Sequence, residues 1–135
     1  MQKLNDNEVE RISKTWIKSS NDDSDTMLSM FKSKHYDWAL FVGHLSLEKL
    51  LKAYYVKKHK DHAPLIHNLL RLAELCDLEI EDESIKNQLL DITTFNLNVR
   101  YEDYKTNFHK KCTADFTGNW IQKITELRLW IQEKF

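Results

Sequence analysis

Apolar positions recur along this chain at helical spacing, and they are densest between Tyr36 and His59. There Trp38, Leu40, Val42, Leu45, Leu47, Leu50, Leu51, Ala53, Tyr54 and Val56 cover most of a helix's circumference. One narrow line breaks the cover: Asp37, Phe41, His44, Glu48, Lys52 and Tyr55 stack at 3.6-residue spacing. A helix this apolar cannot lie on a monomer's surface with one face in water. It is expected at the centre of a bundle, or shared between a bundle and a second chain. His44, Glu48 and Lys52 then form either a solvated strip or the floor of a polar site.

The flanking patterns are also helical. A first helix is capped by Asn5 or Asp6 and shows Val9, Ile12, Trp16 and Ile17. The pattern fails through residues 19–26, Ser-Ser-Asn-Asp-Asp-Ser-Asp-Thr, and returns at Met27. The stripe Ile12, Trp16, Ser20, Asp23, Met27, Phe31 keeps its phase, which favours one long helix over a hairpin. The gap itself reads first as a wet, frayed stretch and second as a cavity wall. Cations end the central helix, and Ala63 and Pro64 stop it. His67 and Asn68 open a short third helix through Cys76. Ser84 caps a fourth, with Ile85, Leu89, Ile92, Phe95 or Asn96, and Val99 in period, running to about Tyr101. Residues 105–112 read as a loop. A last helix from about Thr113 carries Phe116, Trp120, Ile124, Leu127 and Ile131, with Trp130 and Phe135 off the stripe. Short connections imply antiparallel neighbours. The expected fold is all-α, an up-and-down bundle of four to five helices in one domain over residues 1–135.

Composition narrows the function. The chain has only two glycines and one proline, too few turn residues for a many-stranded fold. A formal net charge of −1 creates no overall pull on nucleic acid, so any such contact needs a local patch. Cys76 and Cys112 read as free thiols in a reducing compartment. The polar, acidic N-terminus is unlike a signal peptide, and no apolar run reaches the roughly 18 residues of a membrane span. Cytoplasmic residence, with no membrane contact, is the expectation.

Two constellations carry candidate chemistry. His59, His62 and His67 surround Pro64 but lack metal-ligand spacing, so they read as surface histidines and no metal or other cofactor is expected. Asn96, Arg100, Asp103 and Tyr104 share one helical face at i, i+4, i+7 and i+8. The Arg100 fork suits phosphate, and Tyr101 and Tyr104 could stack on bases. The plainer alternative is a surface pair of Arg100 with an acidic neighbour.

Three segments together resemble the HEPN family of small helical nucleotide-associated domains. His-Leu-Ser-Leu-Glu-Lys-Leu-Leu-Lys-Ala, residues 44–53, looks like that family's central-helix motif. Pro-Leu-Ile-His-Asn-Leu-Leu-Arg-Leu-Ala, residues 64–73, is similar to its proline–histidine–leucine segment. Asn-Val-Arg-Tyr-Glu-Asp-Tyr, residues 98–104, looks like its Arg-Tyr-Pro-Asp element, with Glu102 where proline is common. The resemblance implies a dimerising bundle with a polar groove, often encoded beside a minimal nucleotidyltransferase in two-gene toxin–antitoxin or modification systems. It also implies that some members are metal-independent ribonucleases carrying Arg, four to six residues, then His. Here eight residues separate Arg100 from His109, and Lys105 and Thr106 stand where the histidine is expected.

Three functions follow as expectations. The first is a non-catalytic homodimeric module that binds a nucleotide or RNA at Arg100, Asn96, Asp103 and Tyr104, with His44, Glu48 and Lys52 in support, beside a nucleotidyltransferase partner. The second is a ribonuclease toxin using Arg100 and His109 as catalytic residues. The third is a structural bundle whose Trp130 and Phe135 dock a partner.

Overall fold

The computed structural model describes residues 3–135. Among them run six helices: α1 (Asp6–Lys32), α2 (Tyr36–His59), α3 (Leu69–Leu75), α4 (Glu83–Arg100), α5 (Glu102–Lys111) and α6 (Ala114–Lys134). The all-α expectation holds, with one helix more than the sequence pattern indicated.

Local chemistry sets the helix ends. Asn5 Oδ1 accepts from Glu8 N at 2.8 Å while Glu8 Oε1 accepts from Asn5 N at 3.1 Å, so two orphan amides are satisfied reciprocally. Asn68 caps α3 and Thr113 caps α6 through their side-chain oxygens. Asp82, not Ser84, caps α4: its carboxylate accepts from Ser84 N at 2.8 Å. The chain leaves α2 through Lys60 in the left-handed region, φ 51°.

Two expectations are corrected. Residues 105–112 are not a loop, since α5 covers them to Lys111. Only Phe108 of α5 is buried, so its apolar period is too sparse to read. Its charges do fit a helix: Glu102 and Asp103 lie in the first turn, His109, Lys110 and Lys111 in the last. Residues 19–26 are not frayed either. Helix α1 runs through them unbroken, and Ser20 is fully buried.

Helix α2 is the axis of the bundle and packs on all five others. Fifteen of its 24 residues are buried, so one chain supplies the cover that its apolar surface demands. A second copy is not needed for that purpose. Gly43 marks the closest approach: a Cβ there would stand 2.7 Å from Ile124 Cδ1 and 2.8 Å from Met27 Sδ, where α1, α2 and α6 converge. Contacts fix the direction of α6. Gly118 meets Phe31, Ile124 meets Met27 and Gly43, and Arg128 meets Ser20, so α6 runs antiparallel to α1. Phe135 stacks on Tyr54 at 3.9 Å, so α6 runs parallel to α2. The simple up-and-down order therefore describes the pairs α1–α2 and α1–α6, but not α2–α6.

The serine-rich gap has a packing reason. Arg128 Nη2, from α6, donates to Ser20 Oγ at 3.0 Å and to Asn21 Oδ1 at 2.8 Å. Ser20 Oγ donates in turn to Ser46 O at 2.6 Å, and Lys49 Nζ pairs with Asp23 at 2.7 Å. Small residues on α1 leave room for a guanidinium that would otherwise be buried unpaired.

Candidate functional site

The α2 stripe is not a solvated strip. His44 is fully buried, and Glu48 and Lys52 are each only 5% exposed. Burying a carboxylate and an ammonium is costly unless partners satisfy both. Lys52 Nζ sits 3.3 Å from Glu48 Oε2 and 5.7 Å over the Trp16 ring. The other carboxylate oxygen, Glu48 Oε1, accepts from His67 Nδ1 at 2.8 Å. His67 lies in the segment between Pro64 and α3. Its backbone carbonyl accepts from His44 Nε2 at 2.9 Å, so two stripe residues hold one histidine, Glu48 by its ring and His44 by its backbone.

That bond fixes the His44 tautomer. Nε2 carries the proton, and Nδ1 is buried with no partner among the described residues. Burial holds the His44 pKa below its ordinary value, opposed by the carbonyl bond and by Glu48. A second histidine is held in the same manner. Asp37, at the start of the stripe and 5% exposed, accepts from His109 Nδ1 of α5 at 3.2 Å. Cys112 lies in this neighbourhood, and burial, then Asp37, pushes its thiol up to about 12. Burial pushes Cys76 up to about 11. Both cysteines are free and buried; neither is activated as a nucleophile.

The Arg100 constellation divides. Helix α4 ends at Arg100, and Tyr101 is extended, φ −107° and ψ 126°. Asn96 and Arg100 stay together on α4, where Arg100 Nη1 donates to Asn96 Oδ1 at 3.1 Å. Asp103 and Tyr104 belong to α5 instead, so the single helical face through residues 96–104 does not exist. Tyr104 lines a cleft between α4, α5 and α6. Arg100 is exposed and forms no ion pair with Glu102 or Asp103. Its other N–H groups bond nothing within the described residues. His109 lies seven residues into α5 from Glu102, roughly 10 Å along that axis, so Arg100 and His109 do not form a local pair.

The structure thus joins His44, Glu48 and Lys52 with His67, and Asn96 with Arg100. Among the described residues no hydrogen bond or ion pair links the two groups. They are neighbours only through the fold: α4 packs on α2 and α3, and Thr93, one turn before Asn96, accepts from Leu69 N at 3.1 Å. Sequence reasoning missed the roles of His67, Asp37 and Arg128. The segment resemblance at residues 64–73 contained His67 but gave no sign of its partner. His59, His62 and His67 do not converge, because His59 turns to Leu75 O at 2.7 Å and His67 to Glu48.

An all-helical domain, built round one helix with a buried ionisable stripe, is the class that these observations define. The family model for the HEPN domain matches residues 13–134, nearly the whole chain, and the protein belongs to the HEPN family. No curated protein and no solved structure matches it. At family level, membership marks a nucleotide- or RNA-associated module. No helix among the described residues is long and apolar enough to cross a membrane.

Proposed function

We propose that this chain is a non-catalytic HEPN module that binds a nucleotide or an RNA end through Arg100, acts as a homodimer and works beside a separate nucleotidyltransferase. One observation carries the reading: Arg100 presents a guanidinium that is exposed, braced by Asn96 and unpaired with any carboxylate among the described residues. A fork in that condition suits bidentate contact with phosphate. Tyr101 is half exposed beside it and offers a face on which a base can stack. Leu97, on the same side of α4, and Leu65, 96% exposed, offer apolar surface for a second copy. His44, Glu48 and Lys52 then act at a distance, by fixing the His67 segment against which α4 lies. The test is titration with labelled ribonucleotides: wild type saturates, and Arg100→Ala loses at least tenfold in affinity. Equal binding by both proteins rejects the site. Sedimentation tests the pairing, and a monomer at micromolar concentration rejects it.

A ribonuclease reading has one observation in its favour. His109 donates Nδ1–H to buried Asp37 and leaves Nε2 toward solvent, the way an oriented general base is held. Metal-free RNA cleavage abolished by His109→Ala is its signature. Intact RNA after prolonged incubation removes it.

A further inference from the structure

The cleft between α4, α5 and α6 has a volume of about 320 Å³, within the range of small-molecule sites. Each helix contributes one stripe. On α4 the lining positions are 91, 94, 95 and 98, on α5 they are 104, 107, 108 and 111, and on α6 they are 116 and 120. Both longer stripes follow i, i+3, i+4, i+7, the spacing of a single helical face. The wall is aromatic: Phe95 lies 5.4 Å from Phe108 and 5.3 Å edge-on from Trp120. The polar groups are Asp91, Asn98, Tyr104, Asn107 and Lys111. None of their side chains makes a hydrogen bond or ion pair within the described residues, although Lys111 lies over the Phe116 ring.

This face is not the Arg100 face. Asn98 precedes Arg100 by two residues, about 200° round the helix, so the two point to opposite sides of α4. The chemistry differs as well. Arg100 offers a positive charge that forms no ion pair among the described residues. In the cleft one carboxylate and one ammonium cancel, which removes any net preference for phosphate. Two free amides, each both donor and acceptor, match the in-plane edge of a heteroaromatic ring. Phe95 and Phe108 are buried in the floor, and exposed Tyr104 with half-buried Phe116 and Trp120 supplies ring surface for stacking on its flat face. Asp91 can accept from the vicinal hydroxyls of a ribose.

We propose that this cleft is a second, charge-neutral site that takes a ribonucleoside unit: the base lies against the aromatic wall, its edge is read by Asn98 and Asn107, and the sugar hydroxyls reach Asp91. It goes beyond the Arg100 reading and stands without it. Recognition here is of base and ribose rather than phosphate. At this cleft an uncharged ribonucleoside therefore binds as well as its monophosphate does there, and added salt changes that binding little.

The experiment is calorimetric titration of the full chain with adenosine, guanosine, cytidine and uridine, each against its monophosphate and its 2′-deoxy form. At least one ribonucleoside is expected to saturate. Asn98→Ala with Asn107→Ala should weaken it about tenfold, and Asp91→Asn should erase the preference over the deoxy form. Asn98 and Asn107 lie outside the core, and circular dichroism checks that the double variant folds. Absence of saturation by all four ribonucleosides overturns the proposal. So does binding that requires the phosphate and is lost in Arg100→Ala, a result that would leave the Arg100 site standing alone.

Discussion

Arg128 and Arg100 both donate to an asparagine side chain, yet they do opposite work. Arg128 is buried where α1 and α6 meet and spends its Nη2 on Ser20 and Asn21. Burial lowers its pKa from the ordinary value, opposed by Asp25, Tyr54 and Asp23, and it stays charged. Arg100 spends one N–H on Asn96 and keeps the rest for solvent. The difference separates structure from binding. Arg128 holds helices together through Nη2 while its Nε is buried without a partner among the described residues; a guanidinium whose donors reach solvent is available to a phosphate.

The largest expected effect comes from Arg128→Ala. It removes a buried stem and takes from buried Ser20 the donor that its hydroxyl oxygen accepts, leaving exposed Asn21 to water, at a cost of about 2–4 kcal/mol in urea unfolding. Arg128→Met keeps the stem and should recover about half of that. If the alanine variant unfolds with wild type, Arg128 is not the structural member of the pair. Ser20→Ala is next, at about 1–2 kcal/mol, because it leaves the guanidinium with one partner.

His44 extends the contrast to a group that yields its charge on burial. Its folded pKa lies below the unfolded value of 6.5, so the unfolded chain binds more protons in mildly acid solution. The stability this contributes is complete above pH 6.5 and is lost as pH falls below it. The urea midpoint of wild type should drop between about pH 7 and 5, and His44→Gln should show a shallower drop. An identical pH slope in both proteins would mean that another group sets it. Arg100→Ala is the smallest of the series in stability, within about 0.5 kcal/mol of wild type, while it carries the largest loss in nucleotide affinity. A variant that unfolds early would move Arg100 to the structural side of the comparison.

Legibility in the sequence followed density of burial. Helices α2 and α6 were plain because their apolar stripes are long and regular. The continuity of α1 was also readable, since Ile12, Trp16, Ser20, Asp23 and Met27 keep phase. The purpose of the gap was not, because Arg128 comes from 108 positions away. Helix α5 escaped notice with one buried residue, although its charges run from acidic to basic as a helix dipole favours. The Arg100 face was drawn too long because a helix break at Tyr101 leaves the spacing of side chains intact on paper.

The sequence by itself determined that the chain is helical, that α2 is too apolar to stand uncovered, and that His44, Glu48 and Lys52 share one line along it. These follow from periodicity and from the cost of wetting apolar surface, both local properties. Tertiary structure alone decided who the partners are: His67 for Glu48, His109 for Asp37, the Ser20 pocket for Arg128, and no carboxylate for Arg100. Hydrogen bonds act over about 3 Å. Which side chains come that close depends on how the helices cross, and spacing along the chain does not encode it.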